Sequence, residues 1–77
     1  MRSHIWYTVT YIPEDAPEFK YPCEHFRERV DADMKFDDFC EQALREATDR
    51  GVPINVQLFE QDDRFGSLIP KRQKYFE

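Results

Sequence analysis

Asp33-Met34-Lys35-Phe36-Asp37-Asp38-Phe39-Cys40-Glu41-Gln42-Ala43-Leu44-Arg45-Glu46-Ala47-Thr48-Asp49-Arg50-Gly51 is the segment whose apolar residues keep one period through several turns. Phe36, Phe39, Cys40, Ala43 and Ala47, with Leu44 at the margin, recur at the spacing of a helix with a single apolar side. Asp33 is of the residue type that caps a helix start, and Asp37 and Asp38 suit the positive end of the helix dipole. Gly51 can end the helix in a left-handed conformation, and Pro53 prevents its resumption. Glu41 with Arg45 and Glu46 with Arg50 are i, i+4 pairs in the favourable order. Burial of Phe36, Phe39 and Leu44, at about 1.5–3 kcal/mol each, outweighs those pairs.

On either side of this helix the pattern changes to strands. Residues 4–12 are β-branched or aromatic almost throughout, which suits a pleated, half-buried surface. Ile5, Tyr7, Val9 and Tyr11 share one face and Trp6, Thr8, Thr10 and Ile12 the other; the first set is the more apolar and is expected to face the helix. Pro13 to Pro17 form a turn or short loop. Residues 19–30 predict a second, antiparallel strand whose alternation changes phase, with a bulge near Pro22 to His25. Beyond the helix, residues 52–60 predict a strand with Ile54, Val56 and Leu58 inward and Asn55, Gln57 and Phe59 outward. A turn follows at residues 61–66, then a short fourth strand at 67–69 before Pro70. Residues 71–77, basic and aromatic, are expected to form a flexible tail.

The order implies one α+β domain over residues 1–77: a small antiparallel or mixed sheet of three to four strands, ββαβ or ββαββ, with one helix packed on one face. A chain this short buries only about 60% of the surface its unfolded form exposes. Aromatic residues make up 16% of it, seven of them Phe and four Tyr. A core under one helix holds only some of these, so others are expected at the surface or against a second chain.

The formal charge is −5, from sixteen acids against eleven bases, which argues against general affinity for nucleic acid through counterion release. Cys23 and Cys40 form no C-x-x-C pair and are expected as reduced thiols of a cytoplasmic protein. Met1-Arg2-Ser3-His4 lacks the apolar core of a signal peptide, and no apolar run approaches the ~20 residues of a membrane span.

No arrangement of residues points to catalysis. Cys23, His25, Cys40 and His4 are ligand types that zinc accepts, but their spacing is not that of paired zinc knuckles, and Cys40 falls within the apolar stripe. Neither a metal nor another cofactor is expected. A Cys23/His25 nucleophile pair would need the two side chains in contact, and alternate positions on a strand are not expected to bring them within hydrogen-bond reach. With two glycines in the chain, a glycine-rich phosphate loop is excluded. Neither Ser3 nor Ser67 lies in a nucleophile elbow. The chain is expected not to be an enzyme.

Two surfaces remain as candidates for binding a partner. Projected at about 100° per residue, Asp38, Glu41, Gln42, Arg45 and Asp49 lie opposite the apolar stripe of the helix, an acidic array that Arg45 interrupts. Trp6, Thr8 and Phe59 lie on the sheet face away from the helix, where exposed aromatics mark an interface. The competing expectation there is that the tail covers this face, packing Tyr75 and Phe76 on it. Size and topology lead us to expect a protein-binding adaptor or inhibitor of a larger bacterial or viral protein. That includes a phage-encoded inhibitor blocking a host's nucleic-acid-binding surface, and a homodimer is compatible with it. The alternative is a single-strand nucleic-acid binder that stacks bases on Trp6 and Phe59, with Arg27, Arg29 and the tail lysines on phosphates.

Overall fold

The structure is a computed structural model that describes residues 4–18 and 20–77. Strand β1 spans Ile5–Pro13, β2 Cys23–Phe26, helix α1 Arg29–Arg50, β3 Ile54–Asp62 and β4 Ser67–Phe76. The four strands form one antiparallel sheet in the order β2-β1-β3-β4, with α1 against one face. This is the α+β architecture expected from the sequence, in its ββαββ form.

The period-2 alternation of β1 and β3 decides which side meets the helix. Val9 pairs with Leu58, Tyr11 with Val56 and Pro13 with Ile54, and of these all but Pro13 are buried. From α1, Ala32, Phe36, Phe39, Ala43 and Ala47 close the core. The three alanines let the helix axis approach the sheet, and the two phenylalanines fill the space between. Tyr11 and Phe39 meet with ring centroids 5.3 Å apart in a tilted arrangement. Leu44, expected at the margin of the apolar stripe, is 60% exposed, so it adds little to core burial.

The helix starts at Arg29, four residues before the Asp33 expected from the sequence. Glu28 is the N-cap, in extended conformation and with no side-chain cap hydrogen bond. Asp33 is instead inside the helix, where its carboxylate accepts from Arg29 Nε at 3.2 Å and from Arg72 Nη1 at 3.1 Å. The added first turn brings Ala32 into the core. Gly51 ends the helix as expected, at φ 67°, donating its N–H to the Ala47 carbonyl. Glu46 binds Arg50 at 2.7 Å, and Arg50 also reaches Asp15 in the β1–β2 connection. Among the described residues Glu41 and Arg45 form no ion pair.

Among the described residues of the expected 19–30 strand, only Cys23–Phe26 pair with β1 as a strand, and they do so without a shift of register. Phe19 lies outside the described residues, and Val30 belongs to the helix, exposed. The bulge occurs in β4 instead, where Lys71 is the extra residue between Phe59↔Pro70 and Leu58↔Arg72. Pro70 thus sits where an edge strand tolerates a missing donor. Residues 71–76 are therefore strand and not a flexible tail. Phe76 pairs with Ile54 and packs against the core on the helix side, so it does not cover the outer face.

Candidate binding face on the outer side of the sheet

Register places the outward residues of β1, β2 and β3 side by side. Thr8 lies between His25 and Phe59, and Thr10 between Cys23 and Gln57. With Ile12, Tyr21, Gln61 and Leu68, these side chains line a hollow of about 370 Å³ on the face opposite α1. Among the described residues no Asp, Glu, Lys or Arg lines it, although 35% of the chain is charged.

Polar groups inside the hollow are unevenly satisfied. Thr8 Oγ1 and His25 Nδ1 share a 2.9 Å hydrogen bond whose donor follows the imidazole tautomer. Thr10 is 6% exposed, and its hydroxyl is buried without a hydrogen-bond partner. A buried hydroxyl in that state has given up its water without return.

Cys23 Sγ lies 3.9 Å from His25 Nε2, closer than the sequence pattern led us to expect. Burial, followed by the neighbouring Glu24 carboxylate, pushes the Cys23 thiol up from its ordinary value. The nucleophilic form of cysteine is the thiolate, which this environment disfavours. Cys40 packs beside the core on the helix side, so the sheet separates it from Cys23 and His25. Both cysteines are free. Among the described residues no group of three or more metal-ligating side chains gathers.

Of the residues singled out in the sequence, Thr8 and Phe59 face one another across β1 and β3 and line the hollow. Trp6 is on the same sheet face but does not line it. The Arg27 guanidinium lies 3.4 Å over the Trp6 ring, and the indole N–H donates to Asp63. One face and the polar edge of the indole are thus engaged within the molecule. Asp38, Glu41 and Asp49 are exposed on α1, away from the sheet. The structure therefore gathers Thr8 and Phe59 and leaves the acidic residues on a separate surface. Asp38 borders a shallower depression there with Phe26, Met34 and Lys35.

Thr10, Tyr21 and Leu68 belong to the hollow but not to the residues singled out from the sequence, and His25, considered there only as a ligand or as the partner of Cys23, joins them. The outward alternation of β1 held the signal for Thr10. His25 and Leu68 become visible only once β2 and β4 are in register.

The chain matches no protein-family model, no curated protein and no solved structure. No helix among the described residues is long and apolar enough to cross a membrane.

Proposed function

We propose that this chain is a binding module without catalytic function, whose outer sheet face receives a segment of a partner protein. Such a module serves as an adaptor or an inhibitor of a larger assembly. The observation that carries this reading is the hollow between Thr8, Thr10, Phe59 and Leu68, uncharged among the described residues, on the sheet face that the helix leaves uncovered. Pockets that bind are mostly apolar with a few placed polar groups, and this one has that composition.

The two sheet edges differ in what they offer. The outer edge of β4 carries Pro70, a bulge and Lys71 and Lys74, features that discourage strand addition. The outer edge of β2 borders the hollow through Cys23 and His25. An extended segment pairing there would find backbone hydrogen bonds in β2 and a side-chain site next to it.

Protein is favoured over single-stranded nucleic acid by the state of the basic and aromatic groups. Arg27 occupies a face of Trp6, Arg29 and Arg72 are paired with Asp33, and the net charge is −5.

The test is photo-crosslinking in a bacterial lysate with p-benzoylphenylalanine at position 59 or at position 41. Adducts from position 59 alone support the outer face. Adducts from position 41 alone move the contact to the helix and overturn this reading.

A further inference from the structure

We infer that Cys23 and His25 are half of a zinc site, completed by the same two residues of a second copy whose β2 pairs antiparallel with β2 along the open sheet edge. The contact between copies is that edge, and it is independent of which partner fills the hollow.

His25 Nε2 lies 3.9 Å from Cys23 Sγ, and both residues are exposed. Zinc bonds of about 2.3 Å to sulfur and about 2.0–2.1 Å to nitrogen, at a tetrahedral angle, set the two ligand atoms about 3.6 Å apart. The pair therefore needs little movement to hold one ion. The other imidazole nitrogen, Nδ1, is 2.9 Å from Thr8 Oγ1. A ligating histidine is oriented by a bond on its second nitrogen. With Nδ1–H donated to Thr8, the Nε2 lone pair is the one that faces Cys23.

One chain supplies two ligands, whereas a structural zinc site takes four. Among the described residues no third metal-ligating side chain joins the pair. The edge of β2 indicates where the other two come from. Tyr11 donates its backbone N–H to the Pro22 carbonyl at 2.9 Å. In this register the backbone groups of Glu24 and Phe26 also turn to β1, and those of Cys23 and His25 turn to the open edge. A second β2, related by a two-fold axis at Glu24, bonds to those groups and sets its His25 opposite Cys23 and its Cys23 opposite His25. Directly opposed residues share a sheet face, so two thiols and two imidazoles meet on the outer side. The two Glu24 side chains meet on the helix side, where each is paired with Lys35 at 2.8 Å.

Thiolate and imidazole donors select zinc over calcium or magnesium, which take oxygen ligands. Burial and Glu24 keep the free Cys23 thiol protonated. On binding, each Cys23 releases its Sγ proton to solvent and each His25 ligates as the neutral imidazole, so one Zn²⁺ with two thiolates leaves the site without net charge.

The test adds Zn²⁺ or Co²⁺ to the full chain under a non-thiol reductant, which keeps Cys23 from forming a disulfide. We expect one metal per two chains, a shift from monomer to dimer in sedimentation that a chelator reverses, and, with Co²⁺, the visible bands of a tetrahedral ion with thiolate charge transfer. Cys23→Ser and His25→Ala, checked for the parent's circular dichroism, abolish the bands and the metal-dependent dimer. Thr8→Val weakens metal affinity about 10–100-fold and keeps the stoichiometry. Cys40→Ser and His4→Ala change neither. One metal per chain without dimerisation, a dimer indifferent to metal, binding that survives loss of Cys23, or no binding at all overturns the proposal.

The two readings fail separately. Cross-linking from position 59 with no zinc-linked dimer overturns the metal site alone. A zinc-linked dimer with adducts only from position 41 overturns the docking face and leaves the metal site standing.

Discussion

Arg72, on the last strand, holds the carboxylate of Asp33, on the second turn of the helix, at 3.1 Å, and its guanidinium also lies 4.1 Å over the Phe36 ring. One side chain therefore ties edge strand β4 to both the charged and the apolar side of α1. Burial works against the charged form of Asp33, but hydrogen bonds from Arg29 and Arg72 overcome it and hold the carboxyl below its ordinary value.

Arg72→Ala should therefore loosen β4 more than the rest of the sheet. The ion pair is partly exposed and worth up to about 1 kcal/mol, and the ring contact adds about 0.5–1 kcal/mol. We expect a total loss of about 0.5–2 kcal/mol in urea unfolding, with hydrogen-exchange protection falling first at the β4 amides. Because Asp33 has a lowered value in the folded state, its contribution is complete above the ordinary carboxylate range and lost as pH falls through the folded value. The stability gap between Arg72→Ala and the parent should accordingly narrow in acid to the part that the Phe36 contact supplies. A gap that stays constant down to pH 2 would remove Asp33 from the account.

Leu58 and Leu44 provide a direct comparison of burial. Leu58 is fully buried between β1 and β4, whereas Leu44 is 60% exposed on the helix. Leu58→Ala is expected to cost about 2–5 kcal/mol, a large part of the about 4–12 kcal/mol that a chain of this length holds in all. Leu44→Ala should change stability by less than about 0.5 kcal/mol. Thermal unfolding of the two variants side by side checks the core assignment.

Trp6 reports on the Arg27 contact. With a guanidinium on its face and Asp63 at its N–H, the indole is partly shielded. Arg27→Ala should shift its emission to the red and increase quenching by acrylamide, at a stability cost of about 0.5–1 kcal/mol. Phe59→Ala, in the hollow beyond Trp6, should leave the emission nearly unchanged. The reverse pattern would place Trp6 in the hollow and reassign the outer face.

The elements that were legible in the sequence are those whose side chains follow one period over many residues. Phe36 to Ala47 and the two alternating strands could be placed because each buries a continuous face. The helix start was obscured by two local preferences: Val30 is β-branched, and Asp33 is a good capping residue, whereas Glu28 makes no side-chain cap that a pattern would reveal. Strand β4 was obscured by Pro70 and by Arg72 and Lys74, which stand on the helix side of the sheet. Such residues lay their apolar stems on the core rim while their charges reach water, so inward positions read as polar. The hollow was half legible. Thr8 and Phe59 followed from alternation, but their company with His25 and Leu68 depends on cross-strand register, which no local pattern encodes.

Tyr11 is expected to limit the stability of the fold in alkali. Its ring is in the core, its hydroxyl has no hydrogen-bond partner of ordinary geometry, and burial, followed by the Glu46 carboxylate, pushes the phenol from 10.0 up to about 12. A value raised in the folded state favours the neutral form, so this contribution is fully present below pH 10 and disappears as pH rises through about 12. Tyr11→Phe removes the group that must ionise and keeps the ring against Phe39. At pH 7 the variant should lie within about 1 kcal/mol of the parent, because the deleted hydroxyl makes no bond to lose. Between pH 10 and 12 the parent should lose stability faster than the variant, as followed by urea midpoints at fixed pH. Parallel decline of the two proteins over that interval would show that another group controls alkaline unfolding.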